Sequence, residues 1–178
     1  GLCVSKKHYM VDISGKIKAI IRLIEKGKYF TINRPRQFGK TTTLSLLDKQ
    51  LNSRNDYVAL KITFEEIDTA FNTHESYINE ILIMMQTRLE FLNLDKQAAL
   101  IEENLEKITT FPAFSRFISK FIRDIMADKK VVLLIDEVDR NSDNQLFLSF
   151  LGMLRNKYLQ QDEGNDYTFH SVILAGVH

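Results

Sequence analysis

The chain has 178 residues, 44% hydrophobic and 26% charged, which suits one domain with a sizeable buried core. Its 24 basic and 23 acidic residues leave a net charge of +1, which excludes a general polyanion-binding surface and confines any nucleic-acid contact to a local patch. A lone cysteine, Cys3, excludes an internal disulfide, no apolar run nears the roughly 20 residues of a membrane-spanning helix, and a cytoplasmic location without membrane contact is expected.

Residues 1–10 carry no clear period. Ile13, Ile17, Ile20, Ile21 and Ile24 recur at helical spacing, and Gly27 is placed to stop that helix. Tyr29–Ile32 is a short strand-forming run, followed by a basic loop over 33–41. A helix over Thr41–Leu51 then shows Leu44, Leu47 and Leu51 on one face. After a polar turn at 52–56, Tyr57–Phe64 predicts a second strand. The stretch from about Glu75 to Ala127 is helical, with breaks that set off a second helix near Lys96–Lys107 and a third opening around Pro112. Val131–Ile135 is a continuous apolar run, the mark of a strand covered on both faces. Leu146, Phe147, Phe150, Leu151 and Leu154 share a helix face, "QQDEGND" over 160–166 reads as a polar loop, and "FHSVILAGVH" closes as another buried strand.

Strands alternating with helices predict an α/β fold with a mostly parallel sheet flanked by helices. Ligands of such sheets bind beyond the carboxyl ends of the strands. Two polar clusters fall at such ends. The first is "NRPRQFGKTT", with Arg34, Pro35, Arg36, Gln37, Phe38, Gly39, Lys40, Thr41 and Thr42 as candidate phosphate contacts. A helix N-terminus offers unpaired N–H groups and partial positive charge. Gly39 permits close backbone approach, Lys40 can reach the terminal phosphates, and the Thr41 hydroxyl can ligate Mg²⁺. This is the second half of the pattern G-x-x-x-x-G-K-[ST]. The first half departs from it: Arg34 stands where the first glycine would be, and Pro35 lacks an N–H. Taken alone, the cluster also reads as a helix cap beside a solvated lysine.

The second cluster, Asp136–Glu137, places two carboxylates after the apolar strand. Asp136 can hold Mg²⁺, and Glu137 can orient and polarise the water that attacks a γ-phosphorus. Taken alone, the pair also reads as an acidic strand cap. Together, in this order and with the 57–64 strand between them, the clusters predict one nucleotide site.

"HYMVDIS", "GKYFTINRPRQFGKTTTL", "VVLLIDEVD" and "SVILAGVH" closely resemble the bacterial predicted AAA-ATPase (AAA-ATPase-like) family over essentially the whole chain. That family also carries arginine where the first glycine is usual. The resemblance implies a single P-loop NTPase domain of the additional-strand type over 1–178, with 1–27 leading into the core. It places the loop strand beside the last strand, and gives Lys40 and Glu137 catalytic roles with Thr41 and Asp136 on the metal. It also implies ATP and Mg²⁺ as ligands, a chain that stops before its last sheet strand and lid, and nucleic-acid contact only through a missing C-terminal region. Self-association is a further expectation. Among lesser candidates, His178 is placed as a γ-phosphate sensor, Asp139 as a metal neighbour and Arg155 as a finger donated to a neighbouring copy, each weighed against an ordinary surface role. His8 and His74 lack metal-spaced partners, so no zinc site is expected. A nucleotide switch with little turnover and a phosphotransferase are the competing functions.

Overall fold

The computed structural model describes residues 16–34, 40–64, 73–138 and 144–177, with the backbone alone at 33–34, 40–42 and 177. In chain order the elements are α1 (16–25), β1 (Tyr29–Arg34), α2 (Lys40–Asn52), β2 (Tyr57–Thr63), α3 (His74–Phe91), α4 (Asp95–Asn104), α5 (Phe111–Lys120), β3 (Lys130–Asp136), α6 (Gln145–Asp162) and β4 (Ser171–Val177). The strands form one fully parallel sheet of order β1-β4-β3-β2.

Period-two alternation divides the core between the two faces. Val131, Leu133 and Ile135 of β3 pack with α3–α6, whereas Val132 and Leu134 pack with α1 and α2. This explains the unbroken apolar run of β3, since all of Val131–Asp136 is buried. Aromatic side chains fill the thicker layer: Phe114 stacks on Phe150 at 6.0 Å, and Phe64 meets Phe147 edge-on at 5.2 Å.

Helix starts follow capping chemistry. Thr73 and Thr110 accept from Ser76 N–H and Ala113 N–H, and Asn144 accepts from Leu146 and Phe147 N–H. Gly27 ends α1 at φ +70°, where a Cβ would also meet the His170 carbonyl oxygen at 3.2 Å.

Four boundaries differ from the sequence expectation. β1 runs on through Asn33 and Arg34, which pair in register with Gly176 and Val177. Arg34 is therefore a strand end rather than a loop residue. The second of the three middle helices stops at Asn104, because Leu105 turns extended and Glu106 takes φ 66°. α5 passes into a π turn over Phe121–Ile125. α6 continues to Asp162, so only the end of "QQDEGND" is a loop. The first helix is described from residue 16; its expected start at Ile13 lies outside the described residues.

Candidate functional site

The site is built on strand ends. β1 ends at Arg34 and α2 opens at Lys40; residues 35–39, which hold Pro35, Arg36, Gln37, Phe38 and Gly39, lie outside the described residues. Lys40, Thr41 and Thr42 form the first turn of α2, so their N–H groups belong to the unpaired set at a helix start.

The remainder of α2 is firmly held. Leu44, Leu47 and Leu51 are fully buried against the sheet. The Asn52 amide bonds edge strand β2 twice, accepting from Ala59 N–H at 2.8 Å and donating to Ala59 C=O at 3.1 Å. Arg88 of α3 reaches Asp48 at 2.8 Å. Burial pushes the Asp48 carboxyl up, and the Arg88 charge opposes that. These contacts fix the axis of α2, and with it the position of its N-terminus.

The acidic pair closes β3. Asp136 is the strand's last residue and is only 6% exposed. Its Oδ1 accepts from Glu137 N–H at 2.8 Å, and its carbonyl accepts from Phe64 N–H at 3.2 Å. Glu137 lies at φ 59°, a left-handed conformation that costs a residue with a Cβ about 1–2 kcal/mol. The chain thus turns sharply off the strand at the carboxylate.

Register relates the two ends. Thr31, Leu174 and Ile135 stand in one row across β1, β4 and β3. Asp136 is one residue past that row, and Arg34 is three past it. With only β4 between them, β1 and β3 are roughly 10 Å apart. A helix N-terminus and a carboxylate pair therefore share one rim of the sheet. Thr63, at the end of β2 and paired with Asp136, sits on the same rim. Sequence reasoning passed over it; the cue was that it ends the strand between the two clusters.

A family model described as predicted AAA-ATPase matches residues 4–178. The chain belongs to the predicted AAA-ATPase family. No curated protein matches. Among solved structures, this AAA-ATPase family chain resembles one in the structure of Drosophila ORC bound to AT-rich DNA and Cdc6, at 11% identity with a TM-score of 0.54. The match covers 97% of the present chain and 26% of the other, so the chain spans about a quarter of that relative. Such a likeness supports the fold: a parallel α/β sheet consistent with the P-loop class, with the loop strand beside the last strand as the resemblance implied.

The lesser candidates separate. Arg155 lies on α6 and lines a groove of about 500 Å³ with Tyr29, Phe30 and Thr31 of β1. His74 opens α3 with its ring 5.1 Å from Phe111, and no cluster of three or more metal-ligating side chains occurs among the described residues. Asp139, His178, His8 and Cys3 lie outside the described residues. No described helix is long and apolar enough to cross a membrane.

Proposed function

We propose that the chain is a Mg²⁺-dependent module that binds and hydrolyses ATP. The observation that carries this reading is the sheet order: the strand feeding α2 and the strand ending in Asp136–Glu137 flank β4, all parallel. Phosphates would lie at the N-terminus of α2, with Arg34, Pro35, Gln37, Phe38, Gly39 and Thr42 among the proposed contacts. Lys40 would neutralise the terminal phosphates, and Arg34 or Arg36 would supply charge where Pro35 offers no N–H.

The donor set suits the metal. Mg²⁺ prefers oxygen ligands and is commonly held by one or two protein groups together with phosphates. Thr41 and Asp136 supply such oxygens, and Asp136 has one of its own fixed by the Glu137 N–H at 2.8 Å. When bound, the metal would neutralise charge on the phosphates. Glu137 would accept the proton of the water whose oxygen attacks the γ-phosphorus as ADP departs. Turnover would drive rearrangement or assembly of a longer parent protein, and nucleic-acid contact would come only through other parts of that protein.

The test is nucleotide binding and phosphate release by wild type, Lys40→Ala and Glu137→Gln. The expected result is loss of ATP binding in Lys40→Ala, and retained binding without release in Glu137→Gln. Binding without release in the wild type would replace this reading with a nucleotide switch.

A further inference from the structure

β2 is one end of the sheet, and backbone groups along the outer edge of such a strand can template a further strand. Two bonds fix its inward side: Asp56 C=O accepts from Lys130 N–H at 2.8 Å, and Phe64 N–H donates to Asp136 C=O at 3.2 Å. Backbone groups alternate sides along a strand, so Ala59 and Lys61 turn theirs outward. At Ala59 both groups are taken by one side chain. Asn52 Oδ1 accepts from Ala59 N–H at 2.8 Å, and Asn52 Nδ2 donates to Ala59 C=O at 3.1 Å. Nδ2 also donates to Asp48 Oδ1 at 3.0 Å, and Arg88 holds Asp48 Oδ2 at 2.8 Å. An ionised carboxylate only accepts, so Asp48 selects the orientation in which the amide NH₂ faces it and the oxygen is left for Ala59 N–H. α2 and α3 pack on opposite faces of the sheet, so the Arg88–Asp48 pair passes around the edge of β2.

We propose that Asn52, oriented by Asp48 and Arg88, closes the outer edge of β2 against strand addition by a second copy of this chain. The amide occupies the two groups that an added strand needs at the middle of β2, and the ion pair stands across the path of approach. The copy excluded is an identical β2. The strand reads YVALKIT, an apolar, β-branched and aromatic run in which Lys61 is the only charge, and such segments pair readily with their own kind. Two such edges related by a two-fold axis would join as one continuous sheet. This inference stands apart from the nucleotide reading, since it uses neither Lys40 nor the acidic pair.

Two measurements on the full chain test it: amide hydrogen exchange at Ala59, and sedimentation over a range of concentrations. In the wild type the Ala59 amide should exchange at least about tenfold more slowly than that of Lys61, the next outward-facing residue. Equal rates would overturn the proposal before any variant is made. Asn52→Ala should lose that protection at low concentration and form larger species than the wild type at high concentration. Adding Lys61→Pro removes an outward N–H at an edge position that tolerates proline, and should return the variant to the wild-type state. An Asn52→Ala chain that sediments as the wild type does, or association that survives Lys61→Pro, would overturn the proposal. If Asn52→Ala does not fold, Arg88→Met takes its place, because it leaves Asn52 present and releases Asp48. Ala59 protection should then fall at least about threefold, and unchanged protection would overturn the proposal.

Discussion

Replacing Asp166 with alanine strands a buried ammonium. Lys157, in the middle of α6, is 1% exposed, and its Nζ donates to Ser119 Oγ at 2.6 Å, the Ser115 carbonyl at 2.8 Å and Asp166 Oδ2 at 3.0 Å. Asp166, at 19% exposed, also accepts from Ser119 Oγ at 2.6 Å and Tyr167 N–H at 2.7 Å. The network ties α5, α6 and the turn into β4, the strand that lies between β1 and β3. The partners' proton affinities reflect their depth. Desolvation leads for both groups, and for Lys157 it outweighs the pair and pushes the ammonium down. Asp166 keeps contact with water, so its hydrogen bonds from Ser119 and Lys157 prevail and its carboxyl is held below the usual range. Breaking a buried pair from one side costs about 3–5 kcal/mol, because the remaining charge is uncompensated. Asp166→Ala should therefore lose about that much in urea unfolding. Lys157→Met keeps the apolar stem and leaves the partner with water access, so it should cost about 1–2 kcal/mol. The double variant should be more stable than the sum of the single losses implies. A cost for Asp166→Ala below about 1 kcal/mol, or strict additivity, would refute this account of the network.

His170 packs edge-on to Tyr57 at 5.8 Å, and its buried Nε2 has no hydrogen-bond partner among the described residues. Burial first, then the Lys130 charge, push its pKa below the ordinary 6.5. Between the folded value and 6.5 the unfolded chain binds the extra proton, so the neutral ring's contribution is complete above 6.5 and fades as pH falls below it. The melting temperature of wild type relative to His170→Gln should accordingly drop from about pH 8 to about pH 5, and a flat difference would contradict the burial argument. At Glu137, φ 59° favours glycine, so Glu137→Gly should unfold about 1 kcal/mol harder than Glu137→Ala, both without ATP turnover. Equal stabilities in chemical denaturation would remove the left-handed turn from the account.

Much of the layered fold was legible in the residues. The apolar run of β3 and the leucine face of α2 announced burial on two sides and one side respectively, and both are as expected. Strand order was not legible in the pattern, because β1 meets β4 across some 140 residues of intervening chain. That neighbourhood came from the family resemblance. Local pattern also misplaced some polar residues. Asn33 and Arg34 look like loop but are carried into β1 by ladder pairing with β4. Gln160–Asp162 look like loop but complete the last turn of α6, where the Gln161 side chain accepts from Thr168 N–H at 2.9 Å. Lys157 gave no sign of burial, since its partner Asp166 returns only after the helix has turned back. Of the site itself, the positions of Lys40 at a helix start and Asp136 at a strand end were readable from spacing, whereas the left-handed turn at Glu137 was not.

The most direct measurement is a crystal structure with Mg²⁺ and a non-hydrolysable ATP analogue. The account predicts a triphosphate at the first turn of α2, the metal within reach of Thr41 and Asp136, and Glu137 facing a water in line with the γ-phosphorus. A nucleotide bound elsewhere, or Asp136 and Glu137 turned away from its phosphates, would contradict it.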